Sequence, residues 1–182
     1  MRLTVLLIVF LFISACSSMA SIDYDRNINF EAFTTFNIQA NPARITADTR
    51  VSTPFMQQRI VKAITNELIK KGFKQKENKN DLKVKYYIDV VKEFETADSA
   101  LSIGFGTSSH HSAIGMGFMF PVGESYSIDK LVLTIDMFST KTNKLVWRGT
   151  LGYRLDLGAT PERYTRMANE LVAKILKDFP PK

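Results

Sequence analysis

One cysteine and two adjacent histidines are the side chains of this sequence with the strongest claim on nucleophilic or metal chemistry. His110 and His111 neighbour one another, and successive positions on a strand face opposite ways, so the two imidazoles chelate one ion poorly. No Asp, Glu or Cys lies within ten residues of the pair on either side. A zinc site needs three or four such ligands, so no metal is expected there. Gly104-x-Gly106-x-x-Ser109 lacks the third glycine of a dinucleotide fingerprint, and no helix follows it. No Gly-x-Ser-x-Gly elbow and no His-Glu-x-x-His occurs. Asp136 and Arg148 are placed to meet across a hairpin as a structural ion pair, and Trp147 reads as a core anchor. These residue types predict no catalytic residue, no cofactor and no enzyme.

Cys16 has a different context. Arg2 gives a basic start, Leu3 to Ile13 is an apolar run broken only by Thr4, and the small residues Ser14 and Ala15 precede the thiol. That is the layout of a secretory signal, and the run is too short for a membrane span of about 20 residues. Ile13-Ser14-Ala15-Cys16 resembles the lipobox of bacterial lipoproteins. The resemblance implies cleavage before Cys16, a thioether-linked diacylglycerol on its sulfur and an acylated new terminus. Two or more acyl chains hold a protein stably on a bilayer. Ser17, rather than aspartate, follows; by the lipoprotein sorting rule this implies the periplasmic face of the outer membrane.

The expected organisation is a signal peptide over 1–15, an acylated cysteine with a short tether over 16–21, and a single domain over 22–182. A tether of five residues reaches at most about 18 Å at roughly 3.6 Å per residue. The partner this implies is membrane lipid, through the Cys16 acyl chains, with an envelope protein as a further partner. The net charge of +6 suits an anionic surface. An exported chain meets the membrane rather than the chromosome, so nucleic acid is not expected.

The elements follow from periodicity. Ile22 to Asp25 and Phe33 to Ile38 are rich in aromatic and β-branched residues and read as strands. Asn41-Pro42 ends the second, and 42–52 reads as a loop. Thr53-Pro54 starts a helix, a hydroxyl at N-cap and proline at N1. Its stripe is Met56, Ile60, Ala63, Ile64 and Leu68, and Gly72 stops it. The lysines around Lys70 to Lys85 read as a solvated helix end. Leu82 to Val90 alternates strictly, one face apolar. Thr160-Pro161 repeats the helix start, with a stripe of Tyr164, Met167, Ala168, Leu171, Val172 and Ile175, closed by Phe179-Pro180-Pro181. Between them Lys130–Phe138 and Leu145–Leu155 form a hairpin whose matching faces, Leu131, Leu133, Ile135 and Met137 with Leu145, Trp147, Leu151, Tyr153 and Leu155, are all odd-numbered. Odd must then oppose odd, so the loop has three or five residues, not two.

Residues 101–123 stand apart. Five of the nine glycines fall there. Ile103 and Phe105 alternate with glycine, as do Ile114, Met116 and Phe118. The pattern predicts a hairpin apolar on one face and bare of side chains on the other. Those five apolar residues are the candidate contacts to a partner or to lipid, since such a hairpin can add to a sheet edge or lie on a bilayer.

Several pieces together resemble one family. They are Ile22-Asp23-Tyr24-Asp25 after the lipobox, Lys71-Gly72-Phe73, Asp81-Leu82, the glycine-rich middle, Lys144 to Gly149, and Phe179-Pro180-Pro181. Their order is similar to that of bacterial lipoproteins grouped as domain of unknown function 4136. The resemblance implies one small α+β envelope domain and transfers no site residue. The expected fold is α+β: a two-layer sandwich, its sheet mainly antiparallel with about five strands and both helices on one face. The stretch 33–38, the first helix and the strand from 82 form a crossover, which makes one pair parallel. The expected function is a non-enzymatic, membrane-anchored interaction or accessory module. The rival is a small-ligand carrier or hydrolase, which requires an apolar cleft between sheet and helices.

Overall fold

A computed structural model describes residues 19–96, 100–109, 112–121, 125–156 and 158–181. Its strands are β1 (Ser21–Tyr24), β2 (Thr35–Ile45), β3 (Lys74–Gln75), β4 (Leu82–Thr96), β5 (Ala100–Ser109), β6 (Ser112–Pro121), β7 (Ser125–Ser139) and β8 (Leu145–Arg154). The helices are α1 (Pro54–Lys70) and α2 (Pro161–Ile175). Six strands make one sheet in the order β1-β8-β7-β4-β2-β3, and β5 pairs with β6 in a second, two-stranded sheet.

The alternation in β4 decides which way the main sheet faces. Leu82, Val84, Tyr86 and Ile88 are buried. Across the antiparallel ladder they oppose Ser139, Met137, Ile135 and Leu133. The odd residues of β7 continue the apolar face into β8, where Met137 opposes Trp147 and Leu133 opposes Leu151. Odd therefore opposes odd as far as Met137 and Trp147, and five residues separate the strand ends Ser139 and Leu145, although the closing pair, Phe138 with Leu145, has six between. One detail differs. The ladder shifts between Met137 and Phe138, which inserts Val146 as a bulge. Val146 turns inward and Leu145, expected on the buried face, is exposed.

Both helices lay their stripes on this face. Met56, Ile60, Ala63, Ile64 and Leu68 of α1 join Met167, Ala168, Leu171, Val172 and Ile175 of α2 in one buried cluster with the sheet. Each such aliphatic side chain contributes about 1.5–3 kcal/mol when fully buried. The caps are those the sequence announces. Thr53 Oγ1 accepts from the Met56 N–H at 3.2 Å and Thr160 Oγ1 from the Arg163 N–H at 3.4 Å. Gly72, at φ +91°, takes the left-handed position after α1. The Gly72 and Phe73 N–H groups donate to the Ile69 and Leu68 carbonyls at 2.9 and 3.0 Å, a Schellman closure.

Where α2 crosses β8 the approach is tight. A Cβ at Gly149 would lie 2.4 Å from Trp147 Cη2 and 2.6 Å from Ile175 Cγ2. The chain after α2 turns back inward. Phe179 is buried against Trp147, Phe73 and Phe30, with ring centroids 5.2, 5.5 and 6.0 Å away.

The sheet corrects the expected topology. It is mixed, with six strands rather than about five mainly antiparallel ones. β1–β8, β8–β7 and β7–β4 are antiparallel, whereas β2 pairs in parallel with both β4 and β3. The α1 crossover accounts for the first parallel pair. The second was hidden because β3 is two exposed residues, too short to show a period. β2 also runs through Asn41 and Pro42 to Ile45, with an irregularity between Ala40 and Ile45. A proline that cannot donate to the ladder fits such an interruption, so it did not end the strand.

Asp81 fastens the parallel part. Its Oδ2 accepts from the Thr34 and Thr35 N–H groups, both at 2.9 Å, and from the two threonine hydroxyls at 3.1 and 2.7 Å. Those bonds hold its carboxyl below the usual carboxylate range, the Thr34 amide contributing most.

Candidate functional site

Two surfaces of the molecule are left over after the core is built. The first is the open face of the main sheet, opposite the helices. One rung crosses five strands as Gln39, Lys85, Asp136, Arg148 and Asp23. Its charged members alternate in sign. Asp136 and Arg148 meet across the β7–β8 ladder, as their spacing implied, through a two-pronged pair of 2.6 and 2.7 Å. Asp136 is only 1% exposed although it lies on the open face. Its carboxylate raises the Arg148 pKa above the ordinary guanidinium value. Lys85 Nζ stands 5.0 Å from the centre of the Phe138 ring, and the Thr134 and Thr150 hydroxyls hydrogen-bond at 3.0 Å. Asp136 is paired with Arg148 and Thr134 with Thr150 across the ladder, which is the chemistry of a structural sheet face rather than of a reacting centre.

The second surface is an arm. β2 contributes its last ladder partner at Ile88 and β8 its last opposite Lys130. β4 and β7 go on without them, from Lys92 opposite Asp129 to Thr96 opposite Ser125. This two-stranded overhang is about 17 Å long at roughly 3.4 Å per residue. Its root is braced. Arg50 Nη1 donates to Asp129 Oδ2 at 2.7 Å while its Nε donates to Asp48 Oδ1 at 2.9 Å. The Arg50 guanidinium holds the Asp48 carboxyl down at about 2. Lys130 and Glu93 pair across the ribbon, and the Leu155 N–H donates to the Asp129 carbonyl at 2.8 Å. Sequence reading missed this bracket because Asp129 lies 79 residues from Arg50 and none of the three sits in a motif.

Beyond the overhang comes the β5–β6 hairpin. The register sets Ile103 opposite Phe118, Phe105 opposite Met116 and Thr107 opposite Ile114. The five candidate contacts, Ile103, Phe105, Ile114, Met116 and Phe118, therefore share one face of the ribbon. Gly104 opposes Gly117 and Gly106 opposes Gly115 on the other. His110, His111 and Cys16 lie outside the described residues.

The remaining features argue from packing. Beside the first strand, a groove of about 720 Å³ is bordered by Met19, Ile22, Tyr24, Phe179 and Pro181. Met19 is 88% exposed at its edge. Between sheet and helices the space is filled by the buried cluster itself. Two polar atoms there, Tyr86 Oη and Trp147 Nε1, have no hydrogen-bond partner among the described residues. Burial pushes the Tyr86 phenol pKa up. Among the described residues no group of three His, Cys, Asp or Glu comes together as metal ligands. No helix among them is long and apolar enough to cross a membrane.

The chain belongs to the family of the domain of unknown function DUF4136, whose model matches residues 20–181. No curated protein matches the sequence. Among solved structures, a PDZ domain protein from Parabacteroides distasonis is similar at TM-score 0.56 and 18% identity. The likeness covers 90% of this chain and 35% of that one, so the chain spans about a third of the longer protein. It is a likeness of fold. PelC dodecamers from Paraburkholderia phytofirmans align at TM-scores of 0.48 and 0.47 with 10% identity. They cover 87% of this chain and 95% or 96% of theirs.

Proposed function

We propose that this chain is a lipoprotein of the cell envelope, held by acyl chains on Cys16 and acting as a non-enzymatic interaction or accessory module. The observation that carries the reading is the position of Ile13-Ser14-Ala15-Cys16. It follows an apolar run and stands only five residues before Ser21, where β1 begins. No second cysteine exists in the sequence to pair with it. With Ser17 next in sequence, the anchor is assigned to the periplasmic face of the outer membrane. The filled interface between sheet and helices weighs against a ligand carrier or hydrolase built on a cleft there. The two-pronged Asp136–Arg148 pair weighs against catalysis at the centre of the other side of the sheet. The contact element is the hairpin, through Ile103, Phe105, Ile114, Met116 and Phe118.

Two experiments test this. Metabolic labelling with a fatty acid is expected to mark the wild-type chain and to leave Cys16→Ser unlabelled. Equal label on both overturns the anchor. Deleting 104–118 is expected to abolish crosslinked products in intact envelopes while the domain stays folded. Undiminished crosslinking by a folded deletion variant removes the hairpin from the function.

A further inference from the structure

From Ser99 to Gly123 the sequence contains no Asp, Glu, Lys or Arg. In a chain that is 23% charged this is a long silence. The segment supplies two strands of ten residues each. A strand crossing the hydrocarbon layer at the usual tilt needs about 9–11. The register sorts the composition by face. Leu101 and Phe120 join the pairs Ile103–Phe118 and Phe105–Met116 on one side. The other side carries the two glycine pairs with the pairs Ala100–Pro121, Ser102–Met119 and Ser108–Ala113. Large apolar residues alternating with mostly small or hydroxylated ones, Met119 being the exception, is the pattern of a hairpin in a membrane-spanning barrel.

A lone hairpin cannot remain in hydrocarbon. Its outer edges carry N–H and C=O groups that lipid cannot satisfy. β5 pairs with β6 alone, so each keeps one unpaired edge among the described residues. Hairpins from further copies of the chain, set side by side and closed into a ring, pair every edge.

The fold also aims the overhang that leads to the hairpin at a bilayer, and this step rests on Cys16 being the anchor. Ser21 opposes Thr150, which opposes Thr134, which opposes Tyr87. β1 is antiparallel to β8, so the chain before Ser21 approaches from the end towards which β4 runs on. Along that direction, Tyr87 to Thr96 covers about 31 Å at roughly 3.4 Å per residue. The five residues from Ser17 to Ser21 reach at most about 18 Å. The arm leaves on the side of the tether and is longer than it, even before the hairpin is counted.

We infer that residues 100–121 from several copies of this chain insert as a transmembrane β-barrel into the bilayer that holds Cys16. The face with Ile103 and Phe105 meets lipid, and the glycine face lines the lumen. Ser102, Ile103, Gly104 and Phe105 are replaced singly by cysteine, and each variant is expressed with its leader and purified from membranes. The proteins are tagged with a thiol-reactive fluorophore and placed in phosphatidylethanolamine–phosphatidylglycerol vesicles containing brominated acyl chains. Quenching at 103 and 105 is expected to exceed that at 102 and 104 by about twofold or more, with crosslinked multimers and leakage of a trapped dye. Equal quenching at all four positions, no quenching, or alternation in a chain that crosslinks only as a monomer overturns the inference.

The unsubstituted chain separates this from the anchor. If it takes up no label its Cys16 sulfur is capped, and failed quenching then overturns insertion alone. If it takes up label the anchor fails, and alternation repeated in a Cys16→Ser background still supports insertion.

Discussion

The helix-covered half of the sheet and the arm that extends from it are made by the same device, period-two alternation on paired strands, yet they end differently. In the body, every apolar face finds a partner within the chain. The even residues of β4 and odd residues of β7 lie under α1 and α2. In the arm, β4 and β7 run on past their neighbours and lead to two strands that pair only with each other. Alternation says that one face of a strand is to be covered. It does not say by what. The body answers with its own helices, and for the arm we propose lipid and further copies of the chain.

That contrast can be broken by substitution. The largest effect is expected for Trp147→Ala, which empties a site 1% exposed beneath Phe179. Denaturant unfolding should show a loss of about 3–5 kcal/mol, and a loss below 1 would mean that the body is not packed as described. Gly149→Ala comes next. Its added methyl must displace the Trp147 ring or Ile175, at a cost of about 1–3 kcal/mol. Gly104→Ala, the same change in the arm, should stay within about 0.5 kcal/mol of wild type. Equal costs at the two glycines would erase the distinction between the regions.

Tyr86→Phe removes a buried hydroxyl without a partner and should leave stability unchanged or raise it by about 1 kcal/mol. A marked loss would reveal a bonded hydroxyl. The mildest test is pH. The Asp81 carboxyl is held below its ordinary value when folded, so its contribution is complete above the unfolded value near 4. It is lost as pH falls through the folded value. Unfolding midpoints of wild type should therefore drop between pH 5 and 2 more steeply than those of Asp81→Asn. Parallel curves would show that the threonine bonds do not discriminate between charge states.

Much of the body was readable in the chain because packing enforces strict periods. Both helices begin at Thr-Pro, and Gly72 closes the first. The β7–β8 register was fixed by parity alone. What parity could not carry was an extra residue. The Val146 bulge turned Leu145 outward, and nothing local marks it. The second parallel pair escaped because Lys74 and Gln75 bury nothing. For the candidate site, the hairpin and its apolar residues were legible from alternation with glycine. The length of the overhang and the Arg50 bracket at its root were not. Both depend on which strands stop early, and that is decided by neighbours distant in sequence.

The order of strands has a consequence in time. β1, the first strand, is held by β8, the last. The aromatic cluster joins Phe30 near the beginning to Phe179 near the end. Neither contact exists while the chain is still being made. A nascent chain therefore carries an unpaired first strand and an open core until synthesis is nearly complete. Closure must then bridge most of its length, which makes late and slow folding the expectation for such long-range pairing. A polypeptide that stays unfolded until its last residues appear is one that can be threaded through a narrow channel first and folded afterwards.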